Sequence, residues 1–108
     1  MTKIIINRKD NHIVKVECTG HTGYAEEGED IVCAALSSIV QTALLGLMQV
    51  AGINAEYSRS IEEGYLSISL PDLNETMRHD ADIILETMLV GVGDLYLSYS
   101  DYIELEDK

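Results

Sequence analysis

Hydrophobic and polar residues alternate near the start of the chain in a pattern typical of a β-hairpin. Residues 4–6 predict a first strand, and the Asp and Asn within residues 9–12 supply turn chemistry. A second strand is predicted over residues 13–18, where apolar and charged residues alternate. Its buried face is expected to carry Val14, Val16 and Cys18.

A stretch rich in glycine and glutamate, residues 19–29, then interrupts the pattern and predicts a mobile loop. Asp30 follows as the predicted N-cap of a helix over residues 31–50, which Gly52 is placed to end. Because apolar residues cover more than one face of this helix, we expect it to be buried on nearly every side. A sheet and a second helix, or a second copy of the chain, would provide that cover.

The second half of the chain repeats the arrangement of a hairpin followed by a helix. The hairpin is predicted between residues 56 and 70. Asp72 and Glu75 resemble a capping box, which begins a second helix that runs to about residue 92. A last strand is expected within the tyrosine-rich tail, residues 95–105.

The element order is therefore β-β-α-β-β-α-β, without a repeated βαβ unit. It predicts a two-layer α+β fold with two helices on a largely antiparallel sheet. With 108 residues, of which 46% are hydrophobic, residues 1–108 are expected to form a single domain.

The net charge narrows the range of partners. Seven basic against 19 acidic residues give −12, which disfavours nucleic acid and anionic membrane surfaces and favours a basic protein or peptide. Residues 31–55 carry no formal charge, but polar residues interrupt this segment and acidic residues flank it, so a core helix is the better interpretation. Two cysteines and no signal peptide predict a cytoplasmic protein with reduced thiols.

One pair of residues stands out for its chemistry. His21 lies in the glycine-rich segment, and Cys33 lies in the first turn of the predicted helix, where free backbone amides favour an anion. A thiolate beside an imidazolium is a cysteine nucleophile at neutral pH. Asp30 could either cap the helix or orient His21. Nearby loop carboxylates oppose the thiolate, but water and salt screen them.

Other interpretations of these residues remain open on spacing alone. Cys33 could be a small hydrophobic core residue and His21 a solvated one. A zinc site would use Cys18, His21 and Cys33, with His12 or His79 as the fourth ligand, although only Cys18 and His21 have a short metal-ligand spacing. Ser37, about one turn beyond Cys33, is expected to be a packing residue or a weak hydrogen-bond donor.

The run GHTGYAEEGEDIVCAA at residues 20–35 closely resembles the signature of the ribosomal-processing cysteine protease family called Prp, and the similarity extends over the whole chain. The resemblance implies a homodimeric cysteine endopeptidase that needs no cofactor or metal. Its substrate would be the precursor of large-subunit ribosomal protein twenty-seven, from which it removes an N-terminal extension after an aromatic-rich stretch. The family's histidine and nucleophile correspond to His21 and Cys33, and Gly20, Asp30 and Ser37 match its supporting residues.

Two hypotheses without proteolysis stand beside this one. The chain could be an acidic, dimeric escort that binds a basic ribosomal protein and needs no thiol. It could also be a redox sensor, in which oxidation of Cys33 changes binding. A Cys33→Ser variant should leave an escort functional but abolish proteolysis. A sensor is distinguished by a change in binding on oxidation of Cys33 without any peptide product.

Overall fold

The computed structural model describes residues 1–20, 29–60 and 64–108, and within these it has two helices packed on a five-stranded sheet. The elements are β1 (Thr2–Lys9), β2 (His12–Thr19), α1 (Glu29–Leu45) with a π-helical continuation (Gly46–Val50), β3 (Glu56–Ser60), β4 (Tyr65–Ser69), α2 (Glu75–Ser98) and β5 (Ile103–Asp107). The predicted α+β class and element order are confirmed.

The sheet has the strand order β3-β4-β2-β1-β5, and only the β1–β5 pair is parallel. Lys9 pairs with His12, so Asp10 and Asn11 form a two-residue turn. Both adopt positive φ, 52° and 68°, as a type I′ hairpin turn requires. The turn expected from the sequence is therefore present.

A β-bulge in this hairpin overturns one expected core position. Asn7 pairs with Lys15 and Arg8 with Ile13, which leaves Val14 as the extra residue of β2. The bulge turns Ile13 into the core, at 1% exposure, and leaves Val14 only half-buried. The prediction for Val14 was wrong, whereas Val16 and Cys18 are buried as expected.

The core lies between the helices and one face of the sheet. Ile4, Cys18 and Leu66 pair across three neighbouring strands and form one buried row. Apolar residues of both helices cover this face: Val32, Leu36 and Val40 from α1, and Ala81, Leu85, Met88 and Val92 from α2. Each large side chain so buried contributes about 1.5–3 kcal/mol to folding.

Helix α1 begins at Glu29, so Asp30 lies inside the helix instead of preceding it as the predicted cap. At its other end the helix widens, and the Ala51 amide donates to the Gly46 carbonyl at 3.0 Å, a π-type bond. Gly52 follows with φ of 66° and ends the helix as predicted.

Helix α2 differs from its prediction at both ends. Asn74, and not Asp72, is the cap, because its side-chain oxygen accepts from the Met77 amide at 2.9 Å. The helix continues to Ser98, six residues past the predicted end, so the last strand is short. Gly91 lies within α2, and an added Cβ there would be 3.7 Å from Ile39 of α1, an ordinary van der Waals distance.

By length and apolar composition alone, Ile31–Val50 is long enough to cross a membrane, a test that the core helix of a soluble protein also passes. Here Val32, Leu36 and Val40 of this segment are buried in the core. Their packing supports the interpretation of α1 as a core helix.

Candidate active site

Cys33 lies near the start of α1, with its Sγ against the end of β2. A Cβ placed on Gly20 would collide with that Sγ. The Gly20 amide also donates a hydrogen bond to the Gly64 carbonyl, which fixes the end of β2 beside the start of β4. Glycine is thus required at position 20 by the close approach of the Cys33 sulfur.

The half-buried Cys33 opens into a cavity of about 260 Å³. The floor of the cavity comes from the sheet and one wall from α1. Its lining comprises Cys18, Gly20, Cys33, Ala34, Ser37, Arg59, Ser60, Gly64, Tyr65 and Leu66. Among the described residues, the cavity therefore gives access to the Cys33 sulfur between α1 and strands β3 and β4.

Ser37 lies one helical turn beyond Cys33 and lines the same cavity. Its hydroxyl oxygen accepts a hydrogen bond from Gln41 Nε2 at 2.7 Å. An accepted bond leaves the serine proton available for donation. The structure thus brings Gly20, Cys33 and Ser37, three residues named from the sequence, to one place.

Cys18 is the second thiol that lines this cavity, but it lies on the sheet that forms the cavity floor and is buried. It is 4% exposed, and burial raises its pKa to about 12, with the neighbouring Cys33 as a smaller cause. A thiol with this pKa stays protonated at neutral pH and is a poor nucleophile. The expectation that Cys18 is a core residue is confirmed, and Cys33 is the more exposed of the two cysteines.

His21 and the rest of residues 21–28 lie outside the described residues, as does the side chain of Asp30. The Cys33–His21 pair and the orienting role of Asp30 therefore stay predictions. Within the described ranges, no three histidine, cysteine or acidic residues come together as a metal site. His12 lies elsewhere, with Nδ1 2.7 Å from Asp82 Oδ2 on α2.

Sequence reasoning missed the contribution of the second hairpin to this cavity. Arg59 and Ser60 of β3, and Gly64 and Tyr65 at the start of β4, all line it. Their sequence pattern indicates only strands and a turn. The pairing of β4 with the end of β2 brings them to Cys33, and that register has no local sequence signal.

The whole chain is similar to known cysteine proteases. The family model described as Cysteine protease Prp matches residues 1–104. The ribosomal processing cysteine protease Prp of Bacillus subtilis (strain 168) is 30% identical over 93 residues, which cover 85% of this chain and 83% of the relative. Its counterpart in Staphylococcus aureus (strain Mu50) is 26% identical over 99 residues, covering 92% and 91%.

The fold agrees with this relationship. The crystal structure of an essential ribosomal processing protease Prp from S. aureus, in complex with a substrate peptide, superposes with a TM-score of 0.88 at 25% identity, and covers 100% of both chains. A cysteine protease requires an accessible thiol, and the half-buried Cys33 at this cavity is the candidate for it. The chain is therefore a cysteine protease of the Prp family.

Proposed function

We propose that this protease removes the N-terminal extension of large-subunit ribosomal protein twenty-seven, cutting after an aromatic-rich stretch, with Cys33 as nucleophile and His21 as its base. The observation that carries the proposal is the placement of the Cys33 sulfur against Gly20 at an open cavity. His21 directly follows Gly20 in the sequence, which supports its assignment as the base. The relatives' own names, ribosomal processing proteases, support the substrate class.

The proposed reaction begins when His21 takes the proton of Cys33. The thiolate attacks the scissile carbonyl carbon, and backbone amides at the start of α1 stabilise the oxyanion. The intermediate collapses to a thioester as the C–N bond breaks and His21 protonates the leaving amine. Water then hydrolyses the thioester. Gly20 leaves room for the sulfur, Asp30 orients His21, and Ser37 donates its hydroxyl proton within the cavity.

The −12 charge supports a basic substrate, since an acidic surface raises the encounter rate with a cationic protein. The same charge opposes direct binding to nucleic acid. A precursor of a ribosomal protein meets its processing enzyme in the cytoplasm, which is the proposed location. The two cysteines are free thiols, in keeping with a reducing compartment.

Two kinetic measurements test this mechanism. The rate of alkylation of Cys33 by iodoacetamide at pH 7 should be lower in a His21→Ala variant. Both proteins carry Cys18→Ala, so that Cys33 is the only thiol that can react. Replacing the aromatic residues of the extension peptide with leucine should lower kcat/KM about tenfold or more. Unchanged alkylation would remove His21 from the mechanism, and unchanged cleavage would remove the aromatic preference.

The enzyme is also proposed to be a homodimer, because α2 carries an apolar stripe that the described part of the chain does not cover. Ile83, Val90 and Leu97 recur every seven residues and are 55%, 73% and 81% exposed. A cavity of about 480 Å³ between α1 and α2 borders this stripe at Ile83. A second copy supplies an identical stripe, and pairing the two removes exposed apolar surface from water.

Sedimentation at low micromolar concentration tests the dimer. The parent should sediment as a dimer, and Ile83→Glu as a monomer, because a carboxylate would be buried against apolar side chains. Ser58→Glu, which places the same charge on the exposed strand β3, is the matched control and should remain dimeric. A parent that sediments as a monomer would contradict the proposal.

A further inference from the structure

Arg59 occupies a defined place on the active-site face of the sheet. It pairs with Leu66 on β4, and Leu66 pairs with Cys18 on β2. Residues paired in this way share one face, so Arg59 extends this row to the edge strand β3, where its own side chain is exposed. Two strand spacings, about 10 Å, separate its Cα from that of Cys18. A long arginine side chain spans much of that distance into the cavity of Cys33.

Arg59 also differs from most other cations of the chain. Salt bridges hold five of the seven basic side chains: Lys3, Arg8, Lys15, Arg78 and Lys108. Within residues 1–20, 29–60 and 64–108, Arg59 has no carboxylate partner, and no acidic side chain lines its cavity. Among the described residues, Arg59 is therefore a cation without an acidic partner at the candidate active site of a strongly acidic protein.

A cation in this place has a clear use in peptide hydrolysis. The reaction leaves a new carboxylate at the carbon that was bonded to the Cys33 sulfur. The −12 charge of the chain disfavours any anion in the cavity, and a local guanidinium offsets that field. Arginine is also the side chain best shaped for a two-point bond to a carboxylate.

We infer that Arg59 is a specificity-determining residue of this protease, and that its guanidinium binds a carboxylate of the peptide in the Cys33 cavity. That carboxylate is either the new C-terminus of the product or an acidic side chain of the substrate. The inference deepens the proposed function, because it concerns the peptide bound at the same site.

The test compares two forms of one product. The peptide is taken from the ribosomal protein extension or, if the enzyme does not cleave that peptide, from a peptide library. The inference can then be tested even if the proposed substrate is wrong. Its N-terminal product is made as the free acid and as the C-terminal amide, and the inhibition constant of each is measured. The acid should bind the parent about five- to tenfold more tightly than the amide.

Arg59→Gln should bring the acid-to-amide ratio close to one, and Arg59→Lys should retain part of it. Lys9→Gln is the matched control: it changes the net charge equally at the first hairpin turn and should keep the parent's ratio. A merely structural role for Arg59 would weaken both ligands alike and leave the ratio unchanged.

A second arm separates the two sources of the carboxylate. Substrate peptides carrying Glu or Gln at each position beside the cut are compared by kcat/KM. A Glu preference that disappears in Arg59→Gln assigns the guanidinium to a substrate side chain, whereas an acid-to-amide preference assigns it to the product. If neither preference depends on Arg59, the inference is wrong.

Discussion

Replacing Gly20 with alanine tests how the fold places the sulfur of Cys33, the proposed nucleophile. The added methyl group would collide with the Cys33 sulfur, and the next nearest atom, the Gly64 carbonyl oxygen, lies at an ordinary 3.5 Å. The change therefore acts on one atom of the site. Because the Gly20 amide also bonds to the Gly64 carbonyl, the strand end is not free to move away.

The size of the effect follows from this geometry. Non-bonded heavy atoms rest about 3.5–4.0 Å apart, so the sulfur must retreat by about 1 Å or change its rotamer. A displacement of that size at a reacting atom lowers the rate about 100-fold, equivalent to about 2.7 kcal/mol of activation free energy. Overpacking at the same place should lower stability by about 1–3 kcal/mol.

Steady-state cleavage of a peptide substrate and urea denaturation measure the two effects. Gly93→Ala is the control, because Gly93 lies in α2 with nothing within 4 Å of its added Cβ. That variant should keep full activity and gain about 0.5–1 kcal/mol of stability. If Gly20→Ala cleaves as fast as the parent, the sulfur does not react from the position described, and the reasoning is wrong.

Three further predictions concern stability. Burial raises the pKa of Cys18 to about 12. The neutral thiol therefore stabilises the fold fully below the ordinary pKa of 9.0, and this stability is lost as the pH rises toward 12. In Cys18→Ala, the free energy of unfolding measured by urea denaturation should fall less steeply over this pH range. Asn74→Ala should lower the free energy of unfolding by about 1 kcal/mol, because Asn74 caps α2, while Asp72→Ala should change it by less than about 0.5. Arg8→Ala should cost about 1–2 kcal/mol, less in high salt, because Arg8 joins β1 to Glu86 and Asp107 at 2.7–3.1 Å; an equal melt at all salt concentrations would contradict this.

The sequence predicted elements well where a local signal and the tertiary structure agree. The Asp10–Asn11 turn and the glycine that ends the first helix are local backbone requirements, so both could be predicted. The bulge at Val14 could not, because the alternation of apolar residues looks unbroken there and only the pairing with β1 reveals the extra residue. The cap of α2 was misplaced because Asp72 and Asn74 are both good caps, and the tertiary structure selects between them.

The residues of the candidate active site also differ in whether a local sequence signal could predict them. Cys33 and Ser37 are one turn apart on a predicted helix, and the helical period explains why both line one cavity, although spacing alone predicted only a packing residue or a weak hydrogen-bond donor at Ser37. Gly20 could be named only from its motif, and its reason, the closeness of the Cys33 sulfur, is a tertiary contact. Arg59 and Tyr65 had no signal, since strand register across the sheet brings them to the cavity.

The most direct test of the account is a digest followed by mass spectrometry. The substrate is a peptide that spans the N-terminal extension of large-subunit ribosomal protein twenty-seven and the first residues of the mature chain. The parent enzyme should produce one cut, after the aromatic stretch, and Cys33→Ser should produce none while still binding the peptide. Tight binding of the uncut peptide by both proteins, or an equal cut by the variant, would contradict the assignment of Cys33 as the nucleophile of a processing protease.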